Sequence, residues 1–119
     1  MKEFMAVYVG SPQANEQSGW NSLSDAERTK REREGMQAWM KWGEDHAASI
    51  VVNGGPLGKT KFTSKDGVKD ITNNIAGFII VRAESHEAAA KMFLNHPHFA
   101  IFPGSGVEIM ECTPIPTMP

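Results

Sequence analysis

The stretch that decides the fold runs from residue 77 to residue 116. It opens with Gly77-Phe78-Ile79-Ile80-Val81-Arg82, a strand pattern, and passes through Ala83-Glu84 to Ser85, a good helix N-cap. His86-Glu87-Ala88-Ala89-Ala90-Lys91-Met92-Phe93-Leu94-Asn95 follows, rich in strong helix formers. The helix is expected to stop at His96, because Pro97 disfavours helical geometry in the residue before it. After a loop, Gly106-Val107-Glu108-Ile109-Met110-Glu111-Cys112 makes a last strand, followed by a proline-rich tail.

A β-α-β unit of this kind needs a partner unit, and the first half of the chain supplies one. Residues 4–9 form an unbroken apolar run, the signature of a central strand. Residues 10–23 hold Gly, Pro, Asn, Gln and Ser and read as a loop. Ser24-Asp25-Ala26-Glu27 is a capping box that opens a helix. Eight of the ten residues from 25 to 34 are charged, four of each sign, which marks a solvated face laced by pairs at helical spacing. Beyond Gly35 the helix turns apolar. Met36, Met40, Gly43 and Ala47 follow the spacing of a buried face, with Trp39, Trp42 and His46 on its flank. Ile50-Val51-Val52 is a second strand, closed by Asn53-Gly54-Gly55-Pro56-Leu57-Gly58. Residues 59–70 read as a hairpin turning at Asp66-Gly67. The order β-α-β, hairpin excursion, β-α-β predicts an α+β, ferredoxin-like layer: one antiparallel sheet with both helices on one face.

Composition narrows the function classes. A chain of 119 residues is expected to be a single domain, 1–119, with room for a core. The net charge of −2 gives no general drive toward nucleic acid or an anionic membrane. Cys112 is the only cysteine, so no internal disulfide forms, and a reducing compartment fits. Met1-Lys2-Glu3-Phe4-Met5-Ala6-Val7-Tyr8-Val9 resembles neither a signal peptide nor a membrane span, and a cytoplasmic protein is expected.

Several motifs invite sharper readings. Gly58-Lys59-Thr60 suggests a phosphate loop, but Asn53 stands where the first glycine belongs, and strand-like residues follow. Lys59, Lys61, Lys65 and Lys69 are diluted by Asp66 and Asp70, and read as lysines that keep a ribbon from aggregating. His96-Pro97-His98 offers two imidazoles without a third ligand nearby, so no metal is expected. The expectation is that His96 meets helix-end carbonyls and that His98 is solvated. Trp39, Trp42 and His46 have two open readings: an apolar pocket with one titratable group, or core and dimer packing. Alternation places Glu108, Met110 and Cys112 on one strand face, where Glu108 is either a general acid-base group or a solvated edge residue. Cys112 has no activating neighbour in sequence and reads as a packing residue.

Taken in order, these pieces resemble the YCII-related family, including its DGPF-type branch. The resemblance rests on Met1-Lys2-Glu3-Phe4-Met5-Ala6-Val7-Tyr8, Gly54-Gly55-Pro56-Leu57, Gly77-Phe78-Ile79-Ile80, Glu84-Ser85-His86-Glu87-Ala88-Ala89 and Val107-Glu108-Ile109. It implies a ferredoxin-like fold that dimerises into an α/β barrel, with a cleft near the dimer interface. It also implies that some relatives are small acid-base enzymes with a His-Asp pair. The chain departs from that pattern: the matching helix region, Met36-Gln37-Ala38, has no histidine, and only Asp70 remains of the Asp-Gly-Pro-Phe signature. Met110 stands where an arginine often follows the Glu-Val of the last strand.

The functional expectation is a homodimeric small-molecule-binding protein without cofactor. Tyr8, Trp39 and Trp42 shape its pocket, and His46, Asp70 and Glu108 are its polar groups. The alternative is an acid-base enzyme, an isomerase or lyase acting on a small organic acid or lactone, with His46 or Glu108 moving the proton. The enzyme requires two of His46, Asp70 and Glu108 within hydrogen-bond reach in one cavity, whereas the binding protein requires only the cavity. A purely structural dimer would bury the tryptophans and leave no cavity.

Overall fold

A computed structural model describes residues 1–117. The last two residues of the proline-rich tail, 118 and 119, lie outside the described residues. The elements are β1 (Lys2–Val9), α1 (Pro12–Ser18), α2 (Asp25–Asp45), β2 (Ile50–Pro56), β3 (Thr60–Ser64), β4 (Gly67–Ile71), β5 (Ile75–Ala83), α3 (His86–Lys91), α4 (Pro97–Ala100) and β6 (Gly106–Glu111). Four strands form one sheet in the order β2-β5-β1-β6, each antiparallel to its neighbour. The pair β3-β4 stands apart as a two-stranded ribbon. The architecture is α+β with a mainly antiparallel sheet, compatible with the ferredoxin-like order. Among the described residues no helix is long and apolar enough to cross a membrane.

Alternation along the central strands creates the two faces. Phe4, Ala6 and Tyr8 on β1, with Ile79, Val81 and Ala83 on β5, are buried against Trp42, Ala89 and Phe93 from the helical layer. Met5, Val7, Phe78 and Ile80 point to the other face, where they are half-buried. Cross-strand register puts Val7 opposite both Phe78 and Glu108, so β6 presents Glu108 and Met110 on that open face.

The helices begin where local chemistry places them. Ser24 and Glu27 form a reciprocal capping box at α2, and Ser85 caps α3 by accepting from the Ala88 N–H. Two helices lie where the sequence read as loop. In α1, the Ser11 side chain caps, Pro12 follows, and Gly19 closes the end in a left-handed conformation. In α4, His96 is the cap and Pro97 the first residue. The regular part of α3 ends at Lys91, short of the expected Asn95, which adopts a positive φ of 59° and turns the chain inward at His96.

The buried face of α2 differs from the expected one. Met36 and Met40 are 59% and 65% exposed, whereas Trp42 is 9% exposed and Gly35 is buried. The helix is rotated so that Gly35, Trp39, Trp42 and His46 face inward. Two indoles offer far more apolar area than two thioethers, and their burial sets the rotation. Cys112 is also placed differently: it is exposed just past the end of β6 rather than packed.

Candidate functional site

A cleft of about 890 Å³ opens between α2 and the β2-β5 half of the sheet. Its apolar walls come from Met36, Trp39 and Met40 on α2, and from Ile50, Pro56 and Ile79 on the strands. Phe102, which follows α4, lines it as well. Two irregularities in the β2-β5 pairing, between Ile50 and Val52 and between Val52 and Gly55, occur along this wall. Tyr8, Trp42, Gly77, Ile79 and His98 are buried residues of the lining, and Glu44 and Asn53 are polar groups at the exposed rim.

The inner end of the cleft is an aromatic cluster. The Tyr8 ring centroid lies 5.0 Å from Trp39, 5.2 Å from His96 and 5.4 Å from His98. Trp39 meets His96 edge-on at 4.6 Å, and Trp42 meets it at 4.9 Å. The Tyr8 hydroxyl is buried and has no hydrogen-bond partner among the described residues. Burial pushes its pKa well above the usual phenol range, so it remains an O–H donor.

His96 and His98 are both buried, contrary to the expectation that His98 is solvated. Their backbone explains it: with Pro97 at the first position of α4, His96 caps the helix, its Nδ1 accepting the His98 N–H at 3.0 Å. The imidazole therefore works as a cap rather than at helix-end carbonyls. That bond makes Nε2 the protonated nitrogen of the neutral ring, and Nε2 has no partner among the described residues. Burial first, and then the positive charges that His98 and His46 take on when protonated, push the His96 pKa down from about 6.5 to about 4. In His98, Nε2 lies 2.7 Å from the Val9 carbonyl, which only accepts, so Nε2 carries the proton. Burial lowers the pKa of His98 as well, and the bond to Val9 partly opposes the change.

The residues expected at the site divide into two groups. Tyr8, Trp39 and Trp42 all line the cleft. His46, Asp70 and Glu108 do not converge. His46 stacks on Trp42 at 4.4 Å and donates Nδ1–H to the Trp42 carbonyl at 2.8 Å, behind the cleft wall. Asp70 is on the β3-β4 ribbon, ion-paired with Lys61 at 2.7 Å. Glu108 is exposed on the open face of the sheet, the opposite side from the cleft. Among the described residues no group of three or more His, Cys, Asp or Glu is gathered to hold a metal ion. The polar groups lining the inner end are instead Tyr8 and His98, with His96 buried in the same aromatic cluster. The two histidines carried a signal in the sequence: a His-Pro-His run straight after a helix, where a proline-started turn can face the core.

No family model matches the chain, and no curated protein sequence matches it. Among solved structures it is similar to 5-chloro-2-hydroxyhydroquinone dehydrochlorinase (TftG) from Burkholderia phenoliruptrix AC1100, determined in complex with 2,5-dihydroxybenzoquinone. The two share 19% sequence identity over 93% of each chain, with a TM-score of 0.54. At that identity the likeness is one of fold.

Proposed function

We propose that the chain is a small-molecule-binding protein of the YCII-related type, one domain that works as a homodimer and holds a flat cyclic ligand in the cleft beside α2. The observation that carries this reading is the cleft itself. About 890 Å³ falls within the ~300–1,000 Å³ of small-molecule sites, and its lining is mostly apolar with few polar groups. Trp39 and Tyr8 line it with aromatic rings that suit a flat ligand. The similar fold of TftG, determined with a dihydroxybenzoquinone, supports a flat, oxygenated ligand. A homodimer covering the open sheet face agrees with the half-buried Met5, Val7, Phe78 and Ile80 there. A cytoplasmic setting agrees with the exposed Cys112 thiol.

Binding is favoured over an isomerase or lyase built on His46, Asp70 and Glu108, because those three side chains occupy three separate places. The test is saturation-transfer NMR with 2,5-dihydroxybenzoquinone as probe. Transfer from the protein to the quinone protons is expected, and it is expected to be much reduced in Trp39→Ala. Absence of transfer to the quinone in the wild-type protein would overturn the reading.

A further inference from the structure

We infer that His98 is the proton acceptor of the cleft, and that the ligands it selects are weakly acidic cyclic enols or phenols whose O–H reaches His98 Nδ1. The inference rests on the cleft being a ligand site and adds which atom reads the ligand.

Three observations carry it. First, the tautomer is set by the fold. The Val9 carbonyl, which also accepts from the Ser105 N–H at 3.0 Å and the Ser105 hydroxyl at 3.1 Å, holds Nε2–H of His98 and leaves the lone pair on Nδ1. Second, Nδ1 is left without a partner. His98 lines the cleft, and Nδ1 has no hydrogen-bond partner among the described residues, yet it is not among the buried, partnerless atoms. Third, the seat is built for the ring. Any side chain at Gly104 would overlap the Nε2 and Cε1 edge of the imidazole, so glycine there lets the ring sit flush.

The neighbouring groups complete the chemistry. Tyr8 from β1 sits 5.4 Å away, ring to ring, with a hydroxyl that lacks a partner. His96 faces the same cluster, and Glu44 of α2 stands at the exposed rim. When a ligand O–H meets His98, the O–H bond breaks, an N–H bond forms on Nδ1, and the ligand keeps the electron pair as an enolate or phenolate. Return of the proton to oxygen or to a ring carbon restores neutral His98, so the step needs no other reagent.

The experiment compares 4-nitrophenol with 4-nitroanisole, which has the same ring but no acidic proton, by calorimetry on the full chain. The phenol is expected to bind about tenfold more tightly, the scale of one hydrogen bond to a charged group. His98→Gln, whose amide still donates to Val9, is expected to abolish that preference. In 15N-histidine-labelled wild-type protein, the His98 Nδ1 resonance is expected to move from an unprotonated to a protonated position when the phenol is added. This resonance decides the matter even where the variant folds poorly. Equal binding of the two probes, or an unmoved Nδ1 resonance under saturating phenol, overturns the role of His98 and leaves the cleft reading standing. Failure of both probes to bind overturns both.

Discussion

The indole of Trp42 donates its Nε1–H to the carbonyl of Met92 at 3.0 Å, fifty residues away. This bond ties α2 to the turn after α3 and satisfies a carbonyl that the short helix leaves over. Around it, Trp42 packs at 5.0 Å from Phe93 and 4.9 Å from His96. The tryptophan is thus a core residue that also lines the cleft.

Trp42→Ala is therefore expected to cost about 3–5 kcal/mol of stability through the cavity and the abandoned carbonyl. Met40→Ala, on an exposed position, is expected to stay within about 0.5 kcal/mol. Urea denaturation of both variants checks this. A greater loss for Met40→Ala would put the methionine stripe back in the core.

How far the sequence was legible follows from the same helix. Capping residues marked the starts of α2 and α3, and unbroken apolar runs placed β1 and β5, because these signals are local. The rotation of α2 was not local. Met36 and Met40 have helical spacing as good as Trp39 and Trp42, and only competition for the same sheet face decides between them. The site divided in the same way. Tyr8, Trp39 and Trp42 stood out as aromatics near one another on predicted elements. Glu108 was legible as one face of a strand, but which face the helices cover was not. His96 and His98 were visible as a motif, but their burial was not, because it depends on a four-residue helix and a turn of the chain at Asn95.

Two glycines of α2 make a second contrast. A side chain at Gly35 would overlap the Phe102 ring, which packs between Trp20 and Trp39, whereas Gly43 has open space. Gly43→Ala is expected to stabilise the protein by up to about 1 kcal/mol through helix propensity. Gly35→Ala gains the same propensity but must displace the ring, and is expected to fall at least about 1 kcal/mol short of Gly43→Ala. Thermal melts of the pair check this, and equal melting temperatures would mean that Phe102 yields without cost.

The proposed dimer gives a third test. Val7 is half-buried on the open face, flanked by Phe78 on one neighbouring strand and Glu108 on the other. Val7→Lys puts a charge at the centre of that face while leaving the helical layer untouched. Sedimentation equilibrium at micromolar concentration is expected to show a dimer for the wild type and a monomer for the variant. A monomeric wild type would sink the dimer, and a dimeric Val7→Lys would move its interface elsewhere.

The last expectation concerns acid. The His96 pKa falls from about 6.5 to about 4 on folding, chiefly because the ring is fully buried. Between those values the unfolded chain holds the proton and the folded one does not. Stability is therefore full above about pH 6.5, declines as the pH drops toward 4, and has lost this contribution below that. Each tenfold change in proton affinity is worth about 1.4 kcal/mol, so the decline attributable to His96 is about 3 kcal/mol. His98 adds to it in the same direction. His96→Asn removes the titrating ring while keeping a side-chain oxygen to accept the His98 N–H and cap α4. Urea unfolding of both proteins from pH 7 to pH 4 isolates the effect, since the carboxylates are common to both. The variant is expected to lose distinctly less stability than the wild type over this window. Parallel curves would mean that His96 is protonated in the folded protein, and that the cluster of Tyr8, Trp39 and Trp42 tolerates a cation at its centre.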